Sequence, residues 1–241
     1  MWLDPKERGT LCHEIFALYH GWDKRTASLS EKLDKMQEYS RQVIHQWLRE
    51  TPPAGNPLHE IRELEKIATA YVYLKHPSDD RPVLHVEYAM EERECLPQIL
   101  WIRGTADLVE GEDKTNRDGV VISDVKTGGY VEQVENDGES CLQTMLYCWL
   151  YQQHDKECTV EQGRYLYPKV SREIGCSYSE SRQQELMQLL KETVISLESG
   201  EDWKKPDKRR CRYCGVQEYC QSIPRMRYYE SFRKEGWILD L

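Results

Sequence analysis

Asp124 and Lys126 flank a single residue, Val125, at the end of the run Val120, Val121, Ile122, Ser123. Side chains two apart in a strand share a face, so carboxylate and ammonium point the same way while Val125 packs into a core. The Val125 carbonyl then lies between them as an oxygen that a cation can use. Asp107 ends the stretch Gly104, Thr105, Ala106, Asp107 in the preceding run, and a hairpin would bring it beside Asp124. Two carboxylates converging in this way repel each other unless a cation sits between them. An Asp-x-Lys triplet alone is a weak signal, since a surface strand of alternating charge produces it freely. Its company narrows the reading: Gly9 to His13 comes before it, and Gln143 and Tyr147 follow four apart, on one helical face.

The elements that must position these residues are legible in outline. Residues 10–50 carry apolar positions at helical spacing, among them Leu29, Leu33, Met36, Val43, Ile44 and Trp47, and predict two helices broken near Gly21, with Gly9 to His13 opening the first. The proline-rich stretch Thr51 to Pro57 predicts a loop, and helical pattern returns from Glu60 to Leu74. The period then shortens. Val83 to Met90, Ile99 to Val109 and Val120 to Lys126 predict three strands, the last two joined as a hairpin. Cys141 to Gln153 predicts a helix, Gly163 to Tyr178 a strand or strand pair, and Glu180 to Leu197 a final amphipathic helix.

The ordered set G-x-x-x-H at Gly9 to His13, G-x-x-D at Gly104 to Asp107, D-x-K at Asp124 to Lys126 and Q-x-x-x-Y at Gln143 to Tyr147 resembles the motif series of RecB-like nucleases, within the PD-(D/E)XK superfamily. That group includes the nuclease domains of RecB and AddB helicase-nucleases and CRISPR-associated RecB-like nucleases. The resemblance implies a restriction-endonuclease-like α/β core, a central mixed sheet flanked by helices, with a C-terminal cysteine-rich segment. It implies catalysis by His13, Asp107, Asp124 and Lys126: His13, Asp107, Asp124 and the Val125 carbonyl would hold Mg²⁺ or Mn²⁺, and Lys126 would position or deprotonate the attacking water. Gln143 and Tyr147 would contact the DNA backbone or brace the site. Glu87, in the strand before, reads as a salt-bridged surface glutamate in preference to an added acidic neighbour of the site. The implied function is a metal-dependent deoxyribonuclease, an exonuclease module of a helicase-nuclease in DNA repair or recombination, with DNA as substrate and a helicase domain or subunit as partner. Alternatives are a free-standing phage or CRISPR-associated nuclease, or a catalytically silent DNA-binding module. An iron–sulfur carrier would leave the four motifs unexplained.

Cys211, Cys214 and Cys220 follow one another at gaps of two and five residues, a spacing suited to an iron–sulfur cluster or zinc, each of which takes four ligands. This spacing resembles the C-terminal part of the [4Fe-4S] staple of AddB-type and CRISPR-associated nucleases, where the fourth cysteine lies well upstream of the motif histidine. Here only eleven residues precede Cys12, which adjoins His13. Either the chain is a fragment, or Cys12 or another group serves, or no cluster forms and the segment holds zinc or no metal. Cys95, Cys141, Cys148, Cys158 and Cys176 are expected to be small buried or half-buried residues without disulfides.

With 241 residues, the chain is expected to form one domain over 1–241, including a basic and cysteine-rich segment at 204–220. Its formal charge of −9 argues against binding DNA by net charge alone, although carboxylates are needed wherever divalent cations are held. The basic residues gather in Lys204, Lys205, Lys208, Arg209, Arg210 and Arg212, and again in Arg225, Arg227, Arg233 and Lys234. No apolar run approaches the roughly 18 residues of a membrane span, and no charged start leads into an apolar stretch, so a cytoplasmic protein without a membrane partner is expected.

Overall fold

A computed structural model describes Leu3 and residues 5–51, 57–78, 81–92, 100–112, 118–128, 141–199 and 237–240. Three helices come first: α1 (Pro5–Gly21), α2 (Leu29–Glu50) and α3 (Leu58–Lys75). They form because each places apolar residues on one face at spacings of three and four. In α1 that face is Leu11, Cys12, Ile15, Phe16 and Tyr19; in α2 it is Met36, Val43 and Ile44; in α3 it is Leu64, Ile67, Ala68, Tyr71 and Val72. A capping box starts α2, where Ser28 Oγ accepts the Glu31 N–H at 3.3 Å and the Ser28 N–H donates to Glu31 Oε2 at 2.8 Å.

Strands β1 (Val83–Glu92), β2 (Leu100–Glu110) and β3 (Val120–Val125) follow, then helix α4 (Leu142–His154), β4 (Val160–Tyr167), β5 (Arg172–Ser177), α5 (Glu180–Ser199) and β6 (Trp237–Asp240). The sheet runs β1-β2-β3-β4-β5, with β6 joined to β2 off this path. Strand β3 is antiparallel to β2 and parallel to β4, so α4 is the crossover that a parallel pair requires. Every residue of β3 is buried, which explains its near-continuous apolar run. Val125 and Leu166 join the core of α1, α2 and α3. On β4, Gly163 lets α4 approach closely, for a Cβ there would stand 2.8 Å from the Thr144 Cβ. This is the mixed sheet flanked by helices of a restriction-endonuclease-like α/β fold.

The chain divides into two units, Met1–Met90 with Thr105–Ser179, and Glu91–Gly104 with Glu180–Leu241. The first holds the three-helix core, α4, strands β3, β4 and β5, most of β1 and the end of β2 from Thr105. In the second, β6 pairs in parallel with Leu100–Arg103 of β2, and α5 buries Leu186, Leu190 and Val194 along one stripe.

Three sequence expectations change. Helix α1 begins at Pro5, so His13 lies in its interior rather than at its head; proline suits a first helical turn, where its missing N–H has no intrahelical partner to lose. The predicted strand to Lys126 ends at Val125, although the Lys126 N–H still donates to the Leu166 carbonyl at 2.8 Å. The expectation that the cysteines outside the C-terminal segment carry no disulfide fails at Cys141 and Cys176, which are bonded to each other. Helix α4 covers β4, and β5 is its antiparallel neighbour, so the start of α4 and the strand β5 come within a Cα separation of 6.4 Å. Cys148 and Cys158 are buried and outside any disulfide as expected, Cys12 is likewise buried and outside a disulfide, and Cys95 lies outside the described residues.

Candidate active site

Three elements of the first unit bring polar side chains to one place. Helix α1 contributes His13, β1 contributes Glu87 and β2 contributes Asp107. His13 Nδ1 stands 3.1 Å from Asp107 Oδ1 and 3.4 Å from Glu87 Oε1. The imidazole nitrogen and the two carboxylate oxygens all lie within 4.8 Å of one another, the spacing of a shared coordination sphere. Burial alone would lower the His13 pKa, but hydrogen bonds to Asp107 and Glu87, reinforced by their charges, outweigh it and raise it to about 10.

Glu87 reaches this position by an unusual backbone. Its φ is +48°, in the left-handed region, in the middle of a strand. A non-glycine residue there costs on the order of 1–3 kcal/mol, and such strain collects at functional sites. The second carboxylate oxygen of Asp107 accepts the Val125 N–H at 2.5 Å, so the Val125 backbone meets the site through its amide. One side chain therefore ties β2 to the end of β3 and turns its other oxygen to His13.

Beside this triad lies a second group. Lys126 Nζ stands 2.7 Å from Asp124 Oδ2, an ion-pair contact without hydrogen-bond angles. The same ammonium donates to Gln143 Oε1 at 2.8 Å, and Gln143 Nε2 donates to Tyr147 Oη at 2.8 Å. Lys126 also lies over the Tyr165 ring, 5.5 Å from its centroid. Burial pushes the Asp124 pKa up to about 6, against the pull of Lys126 and with added repulsion from Asp107. Tyr147 is 2% exposed, and burial raises its phenol further above the usual range. A groove of about 550 Å³ opens over His13 and Glu87, with Lys6, Gly9, Thr10 and Glu14 also in its lining.

All the upstream residues singled out in the sequence thus lie near one end of the sheet, in two sets. His13 and Asp107 share the triad; Asp124 is not in that set and pairs with Lys126, Gln143 and Tyr147 behind it. Glu87, read from sequence as a surface glutamate, is the third member of the triad. No spacing rule points to it, because its carboxylate is aimed by a backbone dihedral. Cys211, Cys214 and Cys220 lie outside the described residues. Cys12 is 1% exposed in the three-helix core, where burial pushes its thiol up to about 12. It packs as a small neutral side chain.

Among solved structures that match, the crystal structure of SSO0001 covers 83% of this chain and 81% of its own, at 16% identity and a TM-score of 0.40. No curated protein matches the chain at a significant level. The family model for the PD-(D/E)XK nuclease superfamily matches residues 2–221. Members of this family are typically metal-dependent nucleases, and the chain belongs to the PD-(D/E)XK nuclease superfamily.

Proposed function

We propose that the chain is a RecB-like deoxyribonuclease that hydrolyses phosphodiester bonds from DNA ends, as the nuclease module of a helicase-nuclease in repair or recombination. The observation that carries the reading is the convergence of His13, Glu87 and Asp107 beside the Asp124–Lys126 pair. The donor set suits a hard divalent cation: carboxylate oxygens fit Mg²⁺ and the imidazole favours Mn²⁺. Two carboxylates facing His13 Nδ1 at 3.1 and 3.4 Å mark a place where positive charge is stabilised. Residues His13, Glu87, Asp107 and Asp124, with the Val125 carbonyl, would hold the ion. When bound, it supplies an acidified water and neutralises charge building on the phosphate.

The chain's own residues do the rest. Asp107 fixes the spacing of β2 and β3 through the Val125 N–H while presenting its other oxygen to the site. Lys126, held between Asp124 and Gln143, would orient the attacking water and offset charge on the phosphoryl oxygens. Buried Tyr147 braces Gln143, and Gln143 braces Lys126, so these two residues act on geometry rather than on the DNA backbone. Support for a [4Fe-4S] cluster on Cys211, Cys214 and Cys220, with zinc as the alternative, comes from their spacing. Iron and zinc analysis of anaerobically purified protein, with a Cys211→Ala comparison, tests it.

The nuclease reading is tested with single- and double-stranded DNA, each end labelled separately, under Mg²⁺, Mn²⁺ or chelator. Release of label from an end in either metal, and none with chelator, is expected. Equal cutting by the wild type, Asp124→Ala and Lys126→Ala under Mn²⁺ would end the reading.

A further inference from the structure

Away from the triad, α2 and α3 border a groove of about 710 Å³ whose lining includes Arg41, Arg62, Glu65, Lys66 and Tyr73. Three cations face one carboxylate there, the reverse of the balance in a chain of net charge −9. An ordinary helix surface neutralises itself through pairs three or four residues apart, as Lys66 does with Glu63 at 2.9 Å. Arg41 and Arg62 have no hydrogen-bond or ion-pair partner among the described residues. Tyr73 is 53% exposed, although its neighbours Tyr71 and Val72 are fully buried. Lys169, in the short turn Pro168–Val170 just before Ser171 of the groove lining, is near enough to Glu63, next to Arg62, to help lower its pKa. Positive charge therefore extends beyond the three cations of the groove.

We infer that this groove binds the sugar–phosphate backbone of single-stranded DNA, as a contact separate from the active site. Guanidinium groups with no partner among the described residues match phosphate oxygens in a fork geometry, and the surface pair of Lys66 is weak enough to exchange for a phosphate. An exposed tyrosine among cations gives an unpaired base a stacking face, which a duplex does not offer. The inference rests on the proposed nuclease function for the identity of the polymer alone; the charge and the aromatic face stand without it.

Binding of a fluorescent single-stranded 20-nucleotide DNA is measured in chelator, so that no cleavage contributes, at several salt concentrations. Arg41→Ala, Arg62→Ala and Lys66→Ala combined should flatten the slope of log affinity against log salt by about 2, from three contacts at ~0.7 each. Tyr73→Ala should weaken binding about 5- to 100-fold without changing that slope. Both variants alter exposed or half-buried groups, and circular dichroism and thermal unfolding verify that they fold. Wild-type affinity in both variants would overturn the inference. So would displacement of the strand by polyglutamate but not by unlabelled oligonucleotide, which would assign the groove to an acidic protein. A wild type that binds through the groove yet cuts nothing in Mg²⁺ or Mn²⁺ would sink the nuclease reading alone. Cutting by a protein whose binding ignores both variants would sink the groove alone.

Discussion

Glu110 closes β2, three residues beyond Asp107, and holds two buried cations at once. Its Oε1 accepts from Lys75 Nζ at 2.6 Å, and its Oε2 accepts from the Arg164 guanidinium. Relative exposures are 1% for Glu110, 0% for Lys75 and 4% for Arg164, so none of these charges is screened by water. Arg164 also donates to Ser123 Oγ at 2.7 Å and to Glu173 Oε1 at 3.0 Å. The network thus fastens α3, β2, β3, β4 and β5 together one residue from Asp124. Glu110→Gln keeps the shape but leaves Lys75 and Arg164 facing each other in the interior without their shared anion. Breaking a buried pair from one side costs about 3–5 kcal/mol, and for a chain of this size that is roughly 6–20 °C in melting temperature. Arg164→Met is milder, because Lys75 and Glu110 remain matched and Glu173, with its side chain 36% exposed, can turn to water. The expected cost is about 2 kcal/mol, set by the hydrogen bonds lost at Ser123 and Glu110.

Urea unfolding of both variants checks the order as well as the size. Glu110→Gln should lower the midpoint more than Arg164→Met, with the slope m unchanged if only the folded state is affected. A loss under about 1 kcal/mol for Glu110→Gln, or a larger loss for Arg164→Met, would refute the charge-balance reasoning.

Other consequences follow from the same geometry. Asp124→Ala and Lys126→Ala should each lower DNA cleavage at least ~100-fold while leaving the melting temperature within a few degrees, since both side chains sit at the site end of the sheet; gel-based cleavage beside thermal unfolding checks both. Glu87→Gly should weaken Mn²⁺ binding in titration calorimetry yet leave the fold no less stable, because glycine adopts the +48° φ freely; unchanged Mn²⁺ affinity would remove Glu87 from the site. His20 is fully buried, with Nε2 2.6 Å from Tyr71 Oη and Nδ1 3.1 Å from Lys24 Nζ, and burial, then Lys24, lower its pKa well below 6.5. The unfolded chain therefore binds a proton below pH ~6.5 that the fold does not, and stability should fall by up to ~1.4 kcal/mol per pH unit as pH drops under that value. His20→Gln should flatten this fall, and parallel stability profiles for the two proteins would contradict it.

The fold was legible where one element's own periodicity decided it. The apolar faces of α2 and α3 recur at helical spacing, and β3 announces itself by four apolar or small residues before Asp124. Element ends were less legible, because they depend on what the neighbours offer. Strand β3 ends at Val125 while the ladder continues through the Lys126 N–H, and the strand or strand pair expected at Gly163 to Tyr178 is a pair that starts at Val160 and turns at Pro168–Val170. The disulfide was illegible for a related reason. Cys141 and Cys176 are 35 residues apart in sequence, and only the packing of α4 over β4 and its neighbour β5 brings them together.

The site divides along the same line. Asp124 and Lys126 could be placed on one face from strand alternation, and Gln143 and Tyr147 from helical spacing, because each pair lies within a single element. Their division of labour could not, since it depends on distances between elements: Lys126 reaches across to Gln143, and Asp124 turns to Lys126 rather than to His13. Glu87 shows the limit most plainly. In an undistorted strand it would alternate with its neighbours and be judged by exposure alone. The left-handed φ at this one residue instead directs its carboxylate at His13, and a backbone dihedral leaves no mark on residue type. Strain of about 1–3 kcal/mol at that position persists only if the surrounding sheet and helix over-determine it. The Glu110 network, fastening β2 to its neighbours within three residues of Asp107, is the part of the fold best placed to hold the strands against such strain.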